Sequence, residues 1–365
     1  MAITLSFPDH SRKFDIEELI LRDTSGDSEY IQKVASVCKW WMDTALPMEI
    51  TTSGSTGEPK KICFERSAIL ESINMSGKAL GLKAGMNALL ALDPSFIGGR
   101  MMILRCIEIG MNLICLQPSS NPLKDLNETI DFASFVPLQL ETMVADHYLK
   151  NRLNSIKTIL VGGAPMSQSL RKKTEQLTTA IYLSFGMTET LSHIALQKIK
   201  PDEENFKVLD GIQINIDERG CLVIHASHLN EEKIITNDLV ELTGPDTFKW
   251  IGRFDRVINS GGIKLSPEVL ESKSEELIKS IFSGDGFFFS SVKDDRLGDR
   301  LVLILISMTI PSSEEIEKIV SVLRLKLGTY EMPKAIFLAR AFEKTSGGKL
   351  DRKNTLAKAN CVWQS

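Results

Sequence analysis

Short apolar runs that end at turn signals recur along the first two thirds of the chain, with helical stretches between them. Residues 113–116 (Leu-Ile-Cys-Leu) and 158–161 (Thr-Ile-Leu-Val) are such runs, and residues 138–149 between them read as a helix. A strand that is apolar on both sides has no polar face to offer water. Each run therefore predicts a strand buried in a sheet that is covered on both faces. Strands alternating with helices predict an α/β fold.

The pattern changes near Asp210. Residues 212–216 alternate with period two, Asp217–Gly220 reads as a turn, and residues 221–225 read as the return strand of a hairpin. Residues 248–251 form a further strand. After Gly252-Arg-Phe-Asp255 the composition shifts again. Ser266-Pro267 starts a helix that runs to about residue 280, with proline where its missing N–H costs nothing. Strands are expected at 286–292 and 301–307, a helix at 312–327 between Pro311 and Gly328, and a last strand at 335–338. The 365 residues suit two domains. The expected division is 1–254, an α/β unit, and 255–365, a small α+β unit.

A net charge of −4 supplies no global basic field for nucleic acid or an anionic membrane, so neither is an expected partner. The six cysteines, at 38, 63, 106, 115, 221 and 361, form no CxxC pair. They are expected to be free, buried thiols in a reducing compartment. The first residues hold no apolar signal-peptide core, and no later run approaches the ~20 apolar residues of a membrane span. A cytoplasmic location is the expectation.

Residues 51–61 (Thr-Thr-Ser-Gly-Ser-Thr-Gly-Glu-Pro-Lys-Lys) carry the densest chemical signal. Gly54 and Gly57 let the backbone approach a ligand closely. Thr52, Ser53, Ser55 and Thr56 add hydroxyls beside free N–H groups, and Lys60 adds a point charge. Such a loop suits the β- and γ-phosphates of ATP. It is not a Walker A loop, because Glu58 follows Gly57 where that pattern requires lysine. It leads into a short strand at 62–64 and not directly into a helix.

With this loop the sequence resembles the adenylate-forming superfamily of acyl-CoA synthetases, luciferases and nonribosomal adenylation domains. Residues 52–60 match the superfamily pattern TSGSTGxPK in full, and four further motifs follow in the superfamily's order. The resemblance implies that Gly162, Gly163, Ala164 and Pro165 line the adenine site and a wall of the acyl pocket. It implies that Ser184, Phe185, Gly186 and Met187 flank the adenine, with Phe185 stacking in place of the usual tyrosine. Thr188 would contact the α-phosphate and Glu189 would hold Mg²⁺. Asp238, in a Thr-Asn-Asp motif where Asn237 replaces the usual glycine, and Arg253 would hold the ribose. Asp255 would be the hinge, and Gly261 and Gly262 would lie by the thiol tunnel after the small unit turns. Lys349 takes the position of the catalytic lysine, with Gly347 where serine is common. For the acyl pocket, Gly98, Gly99, Arg100, Gly162, Ser192 and His193 are candidates. Arg100 and His193 would suit a second carboxylate on the substrate, and a structural role for each is an equal alternative.

The resemblance covers residues from about 50 to 352. The loop starts at Thr52, whereas superfamily members carry a longer first subdomain before it. This shortening, and the run Gly186-Met-Thr-Glu-Thr-Leu-Ser-His-Ile-Ala195, resemble the compact o-succinylbenzoate–CoA ligases of menaquinone synthesis. The implied fold is a large adenylation domain of α/β layers with a shortened first subdomain, plus a small α+β domain that rotates about a hinge. The implied activity uses ATP, Mg²⁺ and coenzyme A to convert a carboxylic acid to its acyl-AMP and then its thioester. Transfer to a carrier-protein phosphopantetheine, and a non-catalytic nucleotide-binding protein, stand as alternatives. Both monomer and homodimer are compatible with the sequence.

Overall fold

The computed structural model describes residues 3–43, 47–51, 61–229, 233–344 and 350–364. Its largest feature is a sheet of thirteen strands. Six neighbours in that sheet run parallel, in the spatial order Ala180–Gly186, Thr158–Val161, Phe132–Phe135, Asn87–Leu90, Asn112–Cys115 and Thr4–Phe7.

Successive side chains of these strands enter different cores. Ala88, Leu90, Leu113, Cys115, Phe132 and Leu160 join one, under the helices Glu29–Asp43, Arg66–Leu80 and Ile97–Ile109. Leu89, Ile114, Ala133, Phe135, Ile159 and Val161 join the other, under Pro137–Val144, His147–Ser155 and Gln168–Thr174. Period-two alternation between two apolar layers is what makes the strands read as unbroken apolar runs. The chain is α/β here, as expected.

Two details differ from the expectations. The helix expected at 138–149 is two helices, Pro137–Val144 and His147–Ser155. Asp146 separates them as an N-cap, its carboxylate accepting the Leu149 N–H at 3.0 Å. The parallel order also stops earlier than Asp210. Ala180–Gly186 pairs antiparallel with His193–Lys198, and every later pair in the sheet is antiparallel.

Met48–Thr51 and Lys61–Phe64 form a separate antiparallel hairpin, with Thr51 opposite Lys61. Phe64 and Met48 anchor it in the first core. The expected phosphate loop, residues 52–60, joins these strands and lies outside the described residues.

The large sheet receives its last strand at Thr247–Arg253, and a second sheet begins at Ile258–Ser260. The second sheet runs Ile263–Leu265, Ile258–Ser260, Gly298–Ile306, Ala335–Ala339 and Asn360–Gln364, with Gly286–Asp294 also paired to Gly298–Ile306. Helices Pro267–Ile281 and Ser313–Lys326 cover one face, and Leu356 of the helix Arg352–Ala357 packs on the other. The last strand is thus Asn360–Gln364, and not the run near 335. Its apolar content is only Val362, Trp363 and a cysteine, too short a run to signal a strand.

All six cysteines are free, but Cys63 and Cys361 are exposed, contrary to the expectation of burial. No helix among the described residues is long and apolar enough to cross a membrane.

Candidate active site

The order of parallel strands reverses around Asn87–Leu90, which has Asn112–Cys115 on one side and Phe132–Phe135 on the other. In open α/β sheets, ligands bind outside the carboxyl ends of strands beside such a reversal. Three predicted segments lie at those ends. The segment holding Gly98, Gly99 and Arg100 comes after Leu90, Gly162–Pro165 follows Val161, and Met187–Glu189 follows Gly186.

The turn after Val161 is locked to the neighbouring strand. Ser184 Oγ donates to the Val161 carbonyl at 3.0 Å, tying the Ala180–Gly186 strand to the end of its neighbour. A Cβ at Gly162 would lie 2.3 Å from that hydroxyl oxygen, so a larger residue there would displace the Ser184 hydroxyl from the Val161 carbonyl. Gly163 has φ +85° and is exposed together with Ala164 and Pro165, presenting backbone to the edge of the sheet.

Gly186 is constrained by its opposite number. A Cβ there would lie 2.5 Å from the Ser192 carbonyl oxygen and 2.6 Å from His193 Cα. Thr188–Thr190 forms a single tight turn. Thr190 closes it from within: its hydroxyl accepts the Met187 N–H at 3.0 Å and donates to the Ser192 carbonyl at 2.7 Å. Leu191 sits at φ +63°, an uncommon conformation for a non-glycine residue. The turn, anchored by the buried Thr190, holds a half-buried Thr188 and an exposed Glu189 at the sheet edge.

A buried cation whose charge reaches His193 was missed by the sequence reading. Arg105, on the helix Ile97–Ile109, is 2% exposed. Among the described residues its partner is Ser76, whose hydroxyl oxygen accepts from Nε at 3.0 Å, and no carboxylate pairs with it. Burial pulls its pKa down to about 10. His193 faces the same region. It is buried, its Nδ1 is 3.4 Å from Ser192 Oγ, and its Nε2 has no hydrogen-bond partner among the described residues. Burial first, and the Arg105 charge second, push its pKa down to about 3, so the imidazole is neutral. A buried cation beside a buried ring with an orphan nitrogen is costly unless a polar or anionic group completes it.

Arg100 is placed differently. Its Nε donates to the Pro94 carbonyl at 3.2 Å, and it lines a cavity of about 240 Å³ with Trp40, Pro47 and Met48. Gly99 packs on its own loop, since a Cβ would lie 2.4 Å from the Asp93 carbonyl oxygen, and Gly98 is exposed. The cation whose charge reaches His193 is therefore Arg105. It sits five residues on, at a position whose apolar neighbours, Leu104 and Cys106, disguised it as part of a core helix.

Asp238, Arg253 and Asp255 form a second group. Asp238 pairs directly with Arg253 across two antiparallel strands. The Trp250 indole N–H donates to Asp238 Oδ1 at 2.9 Å, and Arg253 Nη1 is 3.6 Å from Oδ2. Burial raises the Asp238 pKa, against the pull of Trp250 and Arg253. The departure at Asn237 is accommodated: its φ is negative, and its side-chain oxygen accepts from Arg219 at 2.9 Å. The two groups are joined through aromatic rings. Phe185 meets Phe248 edge-on at 5.1 Å, and Trp250 lies two residues beyond Phe248 on the same strand face.

Gly261 and Gly262, with φ +60° and +84°, form the exposed tip of the hairpin Ile258–Ser260 and Ile263–Leu265. Two positive φ angles in a two-residue turn demand glycine-like residues. Lys349 lies outside the described residues, between Lys344 and Leu350, which form an isolated bridge.

A magnesium ion requires oxygen ligands, and it usually keeps several waters and shares one or two carboxylates with substrate phosphates. Glu189 fits that role, being an exposed carboxylate with no ion pair among the described residues, beside the Thr188 hydroxyl. No group of three or more metal-ligating side chains occurs among the described residues.

The family model described as "AMP-binding enzyme" matches residues 25–220. The chain belongs to the AMP-binding enzyme family. The match spans the hairpin that flanks the expected phosphate loop, Arg105, the Gly162–Pro165 turn and the Ser184–His193 segment. Among solved members, an acyl-CoA synthetase (AMP-forming)/AMP-acid ligase II-like protein from Dyadobacter fermentans is 34% identical, with a TM-score of 0.62, covering 98% of this chain and 99% of that one. The o-succinylbenzoate CoA synthetase (MenE) from Bacillus subtilis, in complex with its acyl-adenylate intermediate, shares the fold. Its TM-score is 0.72 at 21% identity, covering 86% of this chain and 69% of that one. A probable 2-succinylbenzoate–CoA ligase from Mycobacterium tuberculosis is 23% identical over 329 residues, covering 85% of this chain and 84% of the relative.

Proposed function

We propose that this AMP-binding enzyme activates o-succinylbenzoate as its acyl-AMP and transfers the acyl group to coenzyme A. The observation that carries the substrate assignment is Arg105. A buried guanidinium with no carboxylate partner among the described residues, whose charge reaches a neutral His193 with Nε2 unpartnered among those residues, suits a substrate that brings its own anion besides the reacting carboxylate. An aryl acid with a second carboxylate does so, and a simple fatty acid does not. The names of the relatives point the same way.

The chemistry has two steps. In the first, a carboxylate oxygen of the substrate attacks the α-phosphorus of ATP, the new O–P bond forms, and pyrophosphate leaves with the electron pair of the broken P–O bond. Both reactants are anionic, so the site must neutralise charge while holding them in line. Thr52–Lys60 would hold the β- and γ-phosphates, Thr188 the α-phosphate, and Lys349 the charge that develops during attack. Magnesium bound at Glu189 would supply Lewis-acid charge neutralisation at the phosphates. Asp238 and Arg253 would fix the ribose, and Phe185 and the Gly163–Pro165 turn the adenine. In the second step the sulfur of coenzyme A attacks the acyl carbonyl and AMP leaves. The two steps ask different groups to approach one carbonyl. A small unit, residues 255–365, that turns about Asp255 meets that demand by presenting Lys349 first and Gly261-Gly262 later.

A pyrophosphate-exchange screen with o-succinylbenzoate, benzoates and short fatty acids tests the reading, followed by mass spectrometry of products formed with coenzyme A. Exchange specific to o-succinylbenzoate and a coenzyme A thioester product are expected. Preference for a fatty acid would remove the substrate assignment. Exchange without a thioester would redirect the second step to a carrier-protein acceptor.

A further inference from the structure

The helix Pro267–Ile281 belongs to the second sheet, yet one of its carboxylates is spent on the first. Glu275 is only 7% exposed. Its Oε2 accepts the backbone N–H of Gln168 at 2.7 Å and lies 3.5 Å from that of Ser169. These are the first two amides of the helix Gln168–Thr174, which have no acceptor within their own helix. The N-cap, Ser167, satisfies only the third, the Leu170 N–H at 3.1 Å. Glu275 thus completes a cap that the local sequence leaves half made, with its charge at the favourable end of the helix. Oε1 is held by Lys279 at 2.8 Å, and an exposed pair, Lys172 with Glu276, flanks the contact.

The position of this cap matters more than its strength. The capped helix begins directly after the Gly162–Pro165 turn. Glu268, two turns before Glu275 on the same face of its helix, holds Arg256 at 3.0 Å in the connection between the sheets. One rigid helix therefore spans from the proposed pivot to the proposed nucleotide turn.

We infer that Glu275 is a positioning residue: a latch that holds the small unit in the orientation seen here, and that must release when the unit turns between the two half-reactions. This rests on the two-step reading above. Because only one of the two orientations can contain the contact, the latch sets how the enzyme divides its time between them. Weakening it shifts the ratio of the half-reaction rates, and does not scale both alike.

The test uses the full chain with Glu275→Gln, Glu275→Ala and, as a variant that leaves the buried carboxylate in place, Lys172→Glu. Amide hydrogen exchange of the peptide containing Gln168 and Ser169 reads the contact itself. Pyrophosphate exchange, and thioester formation from preformed acyl-AMP, read the two steps. Faster amide exchange is expected in the order Ala, Gln, wild type. With it comes a change of about tenfold in the ratio of the two rates for the alanine variant, the scale of one charge-assisted hydrogen bond, and a smaller change in the same direction for Lys172→Glu. Unchanged amide exchange would overturn the latch whatever the activity does. Faster amide exchange with both half-reactions reduced equally would make the contact merely structural and overturn the proposal. Absence of any pyrophosphate exchange in the wild type would instead strike the functional reading, since the amide measurement stands without it.

Discussion

Arg253 and Asp255 form a two-point ion pair where the chain leaves the first sheet, with Nε to Oδ1 at 3.1 Å and Nη2 to Oδ2 at 2.7 Å. The remaining nitrogen of the same guanidinium, Nη1, is 3.6 Å from Asp238. The residue proposed as pivot and the two proposed to hold the ribose thus share one cation. Any turn about Asp255 re-aims Arg253.

Asp255→Ala should weaken AMP binding, because Arg253 loses the clamp that orients it. The expected loss is about threefold to tenfold, less than for Arg253→Ala, which also removes the cation beside Asp238. Calorimetric titration with AMP measures both, and equal affinity for all three proteins would take Arg253 out of the nucleotide site. The hydrogen bonds and charge of Arg253 hold the Asp255 pKa below its ordinary 3.8. Its contribution to stability is therefore present above that value and lost as pH falls through the lowered one.

Lys349→Ala should slow adenylation by roughly 10²–10³, as expected for losing one preorganised charge-stabilising donor, and spare thioester formation from preformed acyl-AMP. Single-turnover measurements of each step decide the matter. An equal fall in both would refute a two-orientation cycle.

Arg105→Met should trade activity for stability. Removing a buried, unpaired charge in favour of an apolar side chain is expected to stabilise the apoprotein by about 1–4 kcal/mol. The same change should cut kcat/KM for a dicarboxylic aryl acid by about 30-fold or more. Thermal unfolding and steady-state kinetics give the two readouts. A variant that lost stability and kept its substrate would show that Arg105 serves the core.

His193 should remain neutral through the whole physiological range. With its folded pKa near 3 and an ordinary value of 6.5, the unfolded chain binds a proton that the folded chain refuses between those limits. Stability should therefore fall as pH drops from 6.5 towards 3, by at most about 1.4 kcal/mol per pH unit from this group. An NMR titration showing the imidazole changing charge near pH 6.5 would contradict the burial described here.

The elements that were legible in the sequence are those whose side chains report on their surroundings. Thr158–Val161 is apolar at nearly every position because both faces are covered, and its bounds matched the expectation. The Gly162 and Gly186 positions were legible for a related reason: each meets a neighbour that a Cβ would strike. What stayed hidden depended on contacts distant in sequence. Arg105 lies in a helix of methionines and isoleucines, and nothing in its local pattern shows that no carboxylate among the described residues reaches it. Asp146 capped a helix inside an uninterrupted apolar rhythm. Glu275 reads as one of several charges on a solvated helix, since the Gln168 amide it caps lies 107 residues away.

The connection between the two sheets is only four residues long, from Phe254 to Val257, and includes a tight turn. Fully stretched, four residues reach about 14 Å. The small unit is therefore tethered to the large one on a lead shorter than its own helix Pro267–Ile281, which at 1.5 Å per residue is about 22 Å long. The proposed turn about Asp255 therefore cannot become a drift away. Each encounter between the units that the proposed cycle requires would be intramolecular, at an effective concentration set by that lead, and so would cost none of the translational entropy that a separate protein would lose on docking. Lengthening the connection with glycine and serine should leave both units folded while diluting every contact made between them.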